Sequence, residues 1–356
     1  MSTLGLSIDT GRRNIVNRSP NRVLIACERP DSMAAKKVKM LSSAGTDAER
    51  LYSALRRIRR AEEEVARIYP SDKIKSPVHL SIGQEGVAVG VCDPLEPRDA
   101  VSGTYRGHAT YLAKGGSLPA MMAELYGKDT GCARGQGGSM HLIDMKANVL
   151  GTSAVVGTTV PVAVGYAMAQ KMRGTGAVVA CFMGDGATEE GCFPESLNFA
   201  ALHKLPVIFV CENNGFAIHE PISKRQATDR ICARVATYGI PTKRFADSDT
   251  KAIRAHVAKA LPKMRKGGGP IFLECMTWRW REHVGPGEDY DAGFRSRSTL
   301  LKWQKKDPVA IAARALPAAV RAKIDAAVEA EIAAAVKFAE ESPFPAVQEL
   351  VTDVFA

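Results

Sequence analysis

CFMGDGATEEGCFPESLNFAALHKLPVIFVCENNGF, residues 181–216, decides the fold. An apolar run from Ala177 to Met183 stops at Gly184-Asp185-Gly186, and a helical stretch follows. A second apolar run, Pro206 to Cys211, then stops at Glu212-Asn213-Asn214. Strand, helix and strand within about 35 residues is the length of one βαβ crossover. Parallel strands bring Asp185 and Asn214 out at carboxyl ends, the rim where open α/β sheets take ligands. One carboxylate and one amide oxygen there, completed by backbone carbonyls and ligand phosphates, suit Mg²⁺ or Ca²⁺. Gly184 and Gly186 allow a sharp turn and the close approach of a phosphate. GDG alone is also a common structural turn. A GDG with NN about 27 residues on, each closing an apolar run, is much rarer by chance.

This spacing resembles the thiamine-diphosphate motif. The wider stretch, roughly residues 47–355, resembles the α subunit of two-chain 2-oxo acid dehydrogenase E1 components, including the acetoin dehydrogenase branch. The resemblance also rests on His79-Leu80-Ser81-Ile82-Gly83-Gln84-Glu85, Tyr105-Arg106-Gly107-His108, Gly137-Gly138-Ser139-Met140-His141 and Leu205-Pro206, in the family's order. It implies thiamine diphosphate and Mg²⁺ as cofactors, with Asp185, Asn214 and the backbone carbonyl of Phe216 as metal ligands. By the same resemblance His79, Tyr105, Arg106, Val156, Asp185, Gly186, Ala187, Asn214 and His283 meet the cofactor. Val156 matches the position whose apolar side chain props the aminopyrimidine. His283 and Arg279 match residues at the reacting end.

The 356 residues, 46% apolar and 24% charged, are enough for one large α/β domain. No apolar run reaches membrane-spanning length. The net charge of +10 is concentrated at the start: residues 1–60 hold 13 Lys and Arg against 5 Asp and Glu, or +8, leaving +2 for the rest. A solvated arm or an acidic partner accounts for that better than nucleic-acid binding. Eight cysteines are scattered without a CxxC pair, and Cys181, Cys211 and Cys275 fall in predicted buried strands. With no signal-peptide segment, a reducing cytoplasm is the expected compartment.

Three segments are expected. Residues 1–45 lack periodicity and read as a disordered basic arm. Residues 46–310 form the α/β domain, Rossmann-like, with a mostly parallel sheet and helices on both faces; the resemblance makes it the diphosphate-binding type. Residues 311–356 form a C-terminal helix and tail packed on that domain. Thr46-Asp47-Ala48-Glu49 has capping-box spacing, and Leu51, Leu55, Ile58, Val65 and Ile68 line one face of the helix that follows, which Pro70 ends. Arg56, Arg57, Arg59 and Arg60 read as its solvated face. A short helix over Glu85–Val91, a strand from Val101 into a polar Tyr105-Arg106 turn, a helix at 249–265 and a strand over Ile271–Met276 are also expected. In the last helix Val320, Ile324, Val328, Ile332 and Val336 make a packing face.

Tyr105 and Arg106 carry donors suited to a diphosphate. His79, on chemistry alone, fits a capping or surface histidine equally well. The five glycines of residues 127–141 fit either flexibility or a cradle of amides around an anion; the resemblance makes this an ordered loop near the site's mouth, with no firm role for Ser139 or His141. It also matches residues 219–232 to a loop that becomes ordered when the cofactor binds. A histidine such as His283, titrating near neutrality, protonates or positions an oxyanion. Here the chain departs from the pyruvate pattern: Arg281-Glu282-His283-Val284 stands where that pattern reads HGHS. Val284 replaces the serine that is phosphorylated in mitochondrial pyruvate enzymes.

The activity implied is decarboxylation of a 2-oxo acid, or cleavage of acetoin, with transfer of the acyl group to a lipoyl acceptor. The alternative is a thiamine-diphosphate-dependent carboligase or transketolase-like half; a binding module that has lost catalysis would show decayed ligands. In two-chain E1 enzymes the β subunit supplies the glutamate facing the aminopyrimidine. About 80 residues follow Met276, too few for a second sheet domain. An E1 β partner in an α2β2 assembly, and a lipoyl-bearing E2, are therefore implied, with no nucleic-acid or membrane partner.

Overall fold

A computed structural model describes residues 45–351; the expectation for the N-terminal arm falls outside the described residues. In chain order the elements are α1 (Asp47–Ile68), α2 (Glu85–Cys92), β1 (Ala100–Thr104), α3 (His108–Lys114), α4 (Leu118–Leu125), β2 (Val149–Ser153), α5 (Thr159–Met172), β3 (Val179–Gly184), α6 (Cys192–Leu202) and β4 (Val207–Asn213). They continue with β5 (Phe216–Ala217), β6 (Glu220–Pro221), α7 (Ile222–Arg225), α8 (Ile231–Ala236), β7 (Thr242–Phe245), α9 (Thr250–Arg265), β8 (Ile271–Met276), α10 (Arg297–Gln304), α11 (Pro308–Arg314) and α12 (Ala318–Glu341).

Six strands form one sheet in the order β2-β1-β3-β4-β8-β7. Every pairing in it is parallel, and β5 with β6 makes a separate antiparallel hairpin. The central strands are buried on both faces, which is why they read as unbroken apolar runs. Alternation still sorts their side chains: Ala180, Phe182, Ile208 and Val210 join the core beneath α1, α2, α9 and α12, while Val179, Cys181, Met183, Val207, Phe209 and Cys211 join the core with α5, α6 and α8. The strands β2 and β7 were not foreseen. β2 carries a glycine, and β7 is an edge strand with exposed Lys243 and Arg244. The described cysteines are free thiols, with Cys181, Cys211 and Cys275 buried in strands. Among the described residues no helix is long and apolar enough to cross a membrane.

The capping box of α1 forms in both directions: Glu49 N donates to Thr46 Oγ1 at 3.3 Å and Thr46 N to Glu49 Oε2 at 2.7 Å. The expected apolar face is buried, but the arginines opposite it are not simply solvated. α12 lies along that side, and Arg56, Arg57 and Arg60 pair with its Asp325, Glu331 and Glu329. Arg59 is itself buried, bonded to Glu85 of α2 and, at 3.0 Å, to Asp307. The solvated-face expectation is therefore wrong. Partners about 250 residues away in the chain leave no local trace beside the arginines.

Candidate active site

The chain passes from β1 outward to β2, then returns across β1 to β3, so the connections on β1 and β3 diverge at their carboxyl ends. Crevices of this kind hold ligands in open parallel sheets. A cleft of about 250 Å³ lies there, walled by Thr104, Tyr105 and Arg106 at the end of β1, by Met183 to Ala187 at the end of β3, and by Glu212, Asn214 and Phe216 at and beyond the end of β4. His283 and the segment from Val155 to Gly157 close its sides. The loops gather Tyr105, Arg106, Val156, Asp185, Gly186, Ala187, Asn214, Phe216 and His283 around this one space. His79 lies just behind it, and Arg279 is not on it.

Asp185 is 1% exposed. Its Oδ2 pairs with Arg225 at 2.5 Å, while Oδ1 is buried with no partner. Burial raises its pKa, against the pull of the Arg225 guanidinium. Asn214 accepts from Phe216 N at 3.0 Å and donates to Gln84 at 3.3 Å. Neither glycine of the GDG turn has a positive φ, so the sharp-turn explanation does not hold for them. Space is the reason instead. A Cβ on Gly186 would stand 3.0 Å from Cβ of Ala217, and one on Gly184 would meet nothing within 4 Å because the cleft opens there.

His79, Tyr105 and His283 form a cluster of rings, with centroids 4.5 Å apart for His79–Tyr105, 5.2 Å for His79–His283 and 5.5 Å for Tyr105–His283. Arg106, buried beside them, donates from Nη1 to the Leu80 carbonyl at 2.8 Å and from Nη2 to the His283 carbonyl at 3.2 Å. Its guanidinium thus ties the His79 loop to the His283 loop. Burial, then Arg106, pushes both histidines down to about 3. His283 does not titrate near neutrality as its residue type suggests, because burial disfavours its charged form and a further positive charge is unfavourable beside Arg106. Arg279 is buried; it donates to Asp289 at 3.2 Å, to the Arg281 carbonyl at 3.0 Å and to the Ile218 carbonyl at 2.8 Å. It fastens the His283 loop to the β5–β6 hairpin.

The amide cradle of residues 127–141 is real, and its anion is internal. The carboxylate of Glu124 accepts from the backbone N–H groups of Ala133, Gly135, Gly137 and Gly138 at 2.7–3.0 Å. Ser139 is buried against His108 Nε2 at 2.8 Å, and His141 is exposed. Residues 219–232 hold the hairpin's second strand, α7 and the start of α8; Arg225 and Gln226 from this stretch, and Arg234 just beyond it, bond the Asp185–Glu189 turn.

Sequence reasoning missed Gln84, Glu212 and Arg225. Gln84 and Glu212 stand inside quoted motifs, beside residues singled out for chemistry. Glu212 lines the cleft, and burial raises its pKa to about 7.

Residues 53–348 match the model of the dehydrogenase E1 component family. This chain belongs to that family. The E1 chain is 37% identical to the α subunit of acetoin:2,6-dichlorophenolindophenol oxidoreductase from Bacillus subtilis, covering 86% of this chain and 92% of that one. It is 37% identical to the pyruvate dehydrogenase E1 component subunit alpha of Zymomonas mobilis, over 86% and 89% of the two chains. The corresponding Rhizobium meliloti subunit is 36% identical over 90% of this chain and 95% of its own. Family membership implies thiamine diphosphate, and the site fits it. A buried carboxylate oxygen of Asp185 lacks a partner, Asn214 and Phe216 line the same cleft, and the space at Gly184 is open. Among the described residues no group of three or more His, Cys, Asp or Glu side chains is placed to hold a metal. A single carboxylate with neutral oxygens suits a cation already carrying phosphate ligands.

Proposed function

We propose that this chain is the α subunit of a thiamine-diphosphate-dependent E1 enzyme that decarboxylates a 2-oxo acid or cleaves acetoin, and passes the acyl group to a lipoyl acceptor. The observation carrying this is Asp185: buried, with one oxygen unpaired, at the switch point of a parallel sheet in an E1-family chain. Asp185, Asn214 and the Phe216 carbonyl would hold Mg²⁺, whose charge would offset that of the diphosphate. Of the cleft's lining residues, Tyr105, Gly186 and Ala187 would border the diphosphate and Val156 the ring. When bound, thiamine diphosphate supplies the electron sink for cleaving the bond next to the carbonyl.

The protein's part is placement and electrostatics. His283, neutral, donates a hydrogen bond to the substrate oxygen as it gains negative charge; a preorganised donor in a dry site is worth far more than one in water. His79 and Tyr105 pack against it and keep water from that edge. Arg279 acts through the loop it fastens.

The relatives' names call them α subunits, which supports a second chain. The cleft, at about 250 Å³, falls below the roughly 300–1,000 Å³ of pockets that enclose a ligand. Its rim exposes Val155, Val156 and Ile218, apolar surface suited to burial by another subunit. A β chain in an α2β2 assembly covers this side and brings the glutamate for the aminopyrimidine; a lipoyl-bearing E2 accepts the product. The test is steady-state decarboxylation of pyruvate, branched 2-oxo acids and acetoin with an artificial acceptor. The chain alone, given cofactor and Mg²⁺, should be inactive, and addition of its β chain should give turnover with one substrate class. Robust turnover by the chain alone would overturn the half-site assignment.

A further inference from the structure

The two oxygens of Asp185 have different surroundings. Oδ2 meets Nη2 of Arg225 at 2.5 Å, while Oδ1 is buried and bare. Arg225 enters from the end of α7, 40 residues along the chain, with its side chain 10% exposed. Its Nη1 bonds Glu189, and its Nε donates to the Glu220 carbonyl at 3.1 Å. A guanidinium is a rigid planar fork. With Nε held by the Glu220 carbonyl of its own segment and Nη1 by Glu189 of the Asp185 turn, the direction of Nη2 is set. The carboxylate plane of Asp185 is then set as well, because rotating it breaks the bond to Nη2.

A guanidinium that merely stood in for an absent metal would do best by gripping both oxygens of one carboxylate. This one divides its fork between Asp185 and Glu189 and leaves an oxygen of Asp185 unsatisfied in the interior. Leaving that oxygen bare costs free energy unless a ligand completes it.

We infer that Arg225 is a positioning residue for the divalent cation: it holds Oδ2 of Asp185 and thereby presents Oδ1 as the ligand oxygen. The inference rests on the metal site proposed above and adds a residue that never touches the ion. Partners of this kind behind metal-bound carboxylates are worth about 10–100-fold in affinity.

The experiment uses the assembled enzyme with its β chain, saturating thiamine diphosphate, and Mn²⁺ as the probe, with free Mn²⁺ followed by electron paramagnetic resonance. Arg225→Met should weaken Mn²⁺ binding about 10–100-fold, and Arg225→Lys should recover part of the loss. Gln226→Ala removes bonds from the same segment to Glu189 and Thr188 but touches nothing on Asp185, so its affinity should match wild type. If Arg225→Met does not assemble, Arg225→Gln keeps a donor for the Glu220 carbonyl and carries the same test. Unchanged or tighter Mn²⁺ binding without Arg225 would overturn the inference, marking the guanidinium as an ion the metal displaces. Equal weakening by Gln226→Ala would reduce Arg225 to a tether. Asp185→Ala separates the two levels: if it too leaves Mn²⁺ affinity unchanged, the metal site itself is misplaced.

Discussion

Arg106 and His283 are joined twice, with Nη2 donating to the ring nitrogen Nδ1 at 3.3 Å and to the main-chain oxygen at 3.2 Å. A guanidinium only donates, so Nδ1 must accept and the ring proton sits on Nε2. The imidazole is therefore a neutral donor with a fixed tautomer, poised as a hydrogen-bonding group rather than as an acid.

His283→Ala should lower turnover about 10²–10³-fold, the usual loss for one oxyanion donor, and leave cofactor affinity largely intact. The wild-type turnover profile should lack an inflection from this residue between about pH 5 and 8, because its pKa lies near 3. Steady-state kinetics across pH check both. Equal turnover in mutant and wild type, with chemistry rate-limiting, would make His283 a structural residue.

Acid should unfold the chain partly through these same rings. His79 and His283 stay neutral in the fold down to about 3, against 6.5 for the free side chain. Between those values the unfolded chain binds protons that the folded chain refuses. Each ring thus contributes stability fully present above 6.5 and lost as pH falls towards 3. Melting temperature should decline from pH 6.5 downward, and more gently in His79→Phe. Parallel curves for mutant and wild type would refute the linkage.

Cofactor binding should need a divalent cation and depend on Asp185. Calorimetry on EDTA-treated protein assembled with its β chain should show thiamine diphosphate binding only after Mg²⁺ is restored, and none in Asp185→Ala. Asn214→Ala removes a neutral ligand and should show a milder defect. Affinity that ignores the metal would defeat the assignment.

Arg59 and Arg57 are neighbours in α1 with different stakes. Arg59→Met leaves Glu85, fully buried, without its partner, and should cost about 3–5 kcal/mol. Arg57→Ala breaks a more exposed pair with Glu331 and should cost no more than about 1 kcal/mol. Urea unfolding of the two variants distinguishes them; similar midpoints would mean that burial does not govern these ion pairs.

The parallel sheet and the GDG and NN strand ends were legible because each depends on neighbours in sequence. An apolar run says where a strand lies, and a polar residue at its end says what reaches the rim. Asp185 and Asn214, which line the cleft, were thus visible. Residues whose meaning depends on distant partners were not. Glu124 acts as the anion for backbone amides 9–14 residues on, Arg59 finds Asp307 across 248 residues, and Arg225 returns 40 residues to Asp185. The titration of His283 was misread for the same reason, since what keeps it neutral is burial in the folded cleft and then the charge of Arg106, 177 residues away.

The pairing of α1 with α12 has a consequence for how the protein is made. Arg56, Arg57 and Arg60 find their acceptors in a helix that begins at Ala318. A chain emerging from the ribosome at about 5–20 residues per second therefore holds α1 for tens of seconds with its charged side uncovered. Sheet and cleft loops can assemble in that interval, but the layer that closes over α1 arrives last. Synthesis order makes α12 the final clasp, and a chain cut short before it would carry a complete-looking cofactor cleft on an unfinished body.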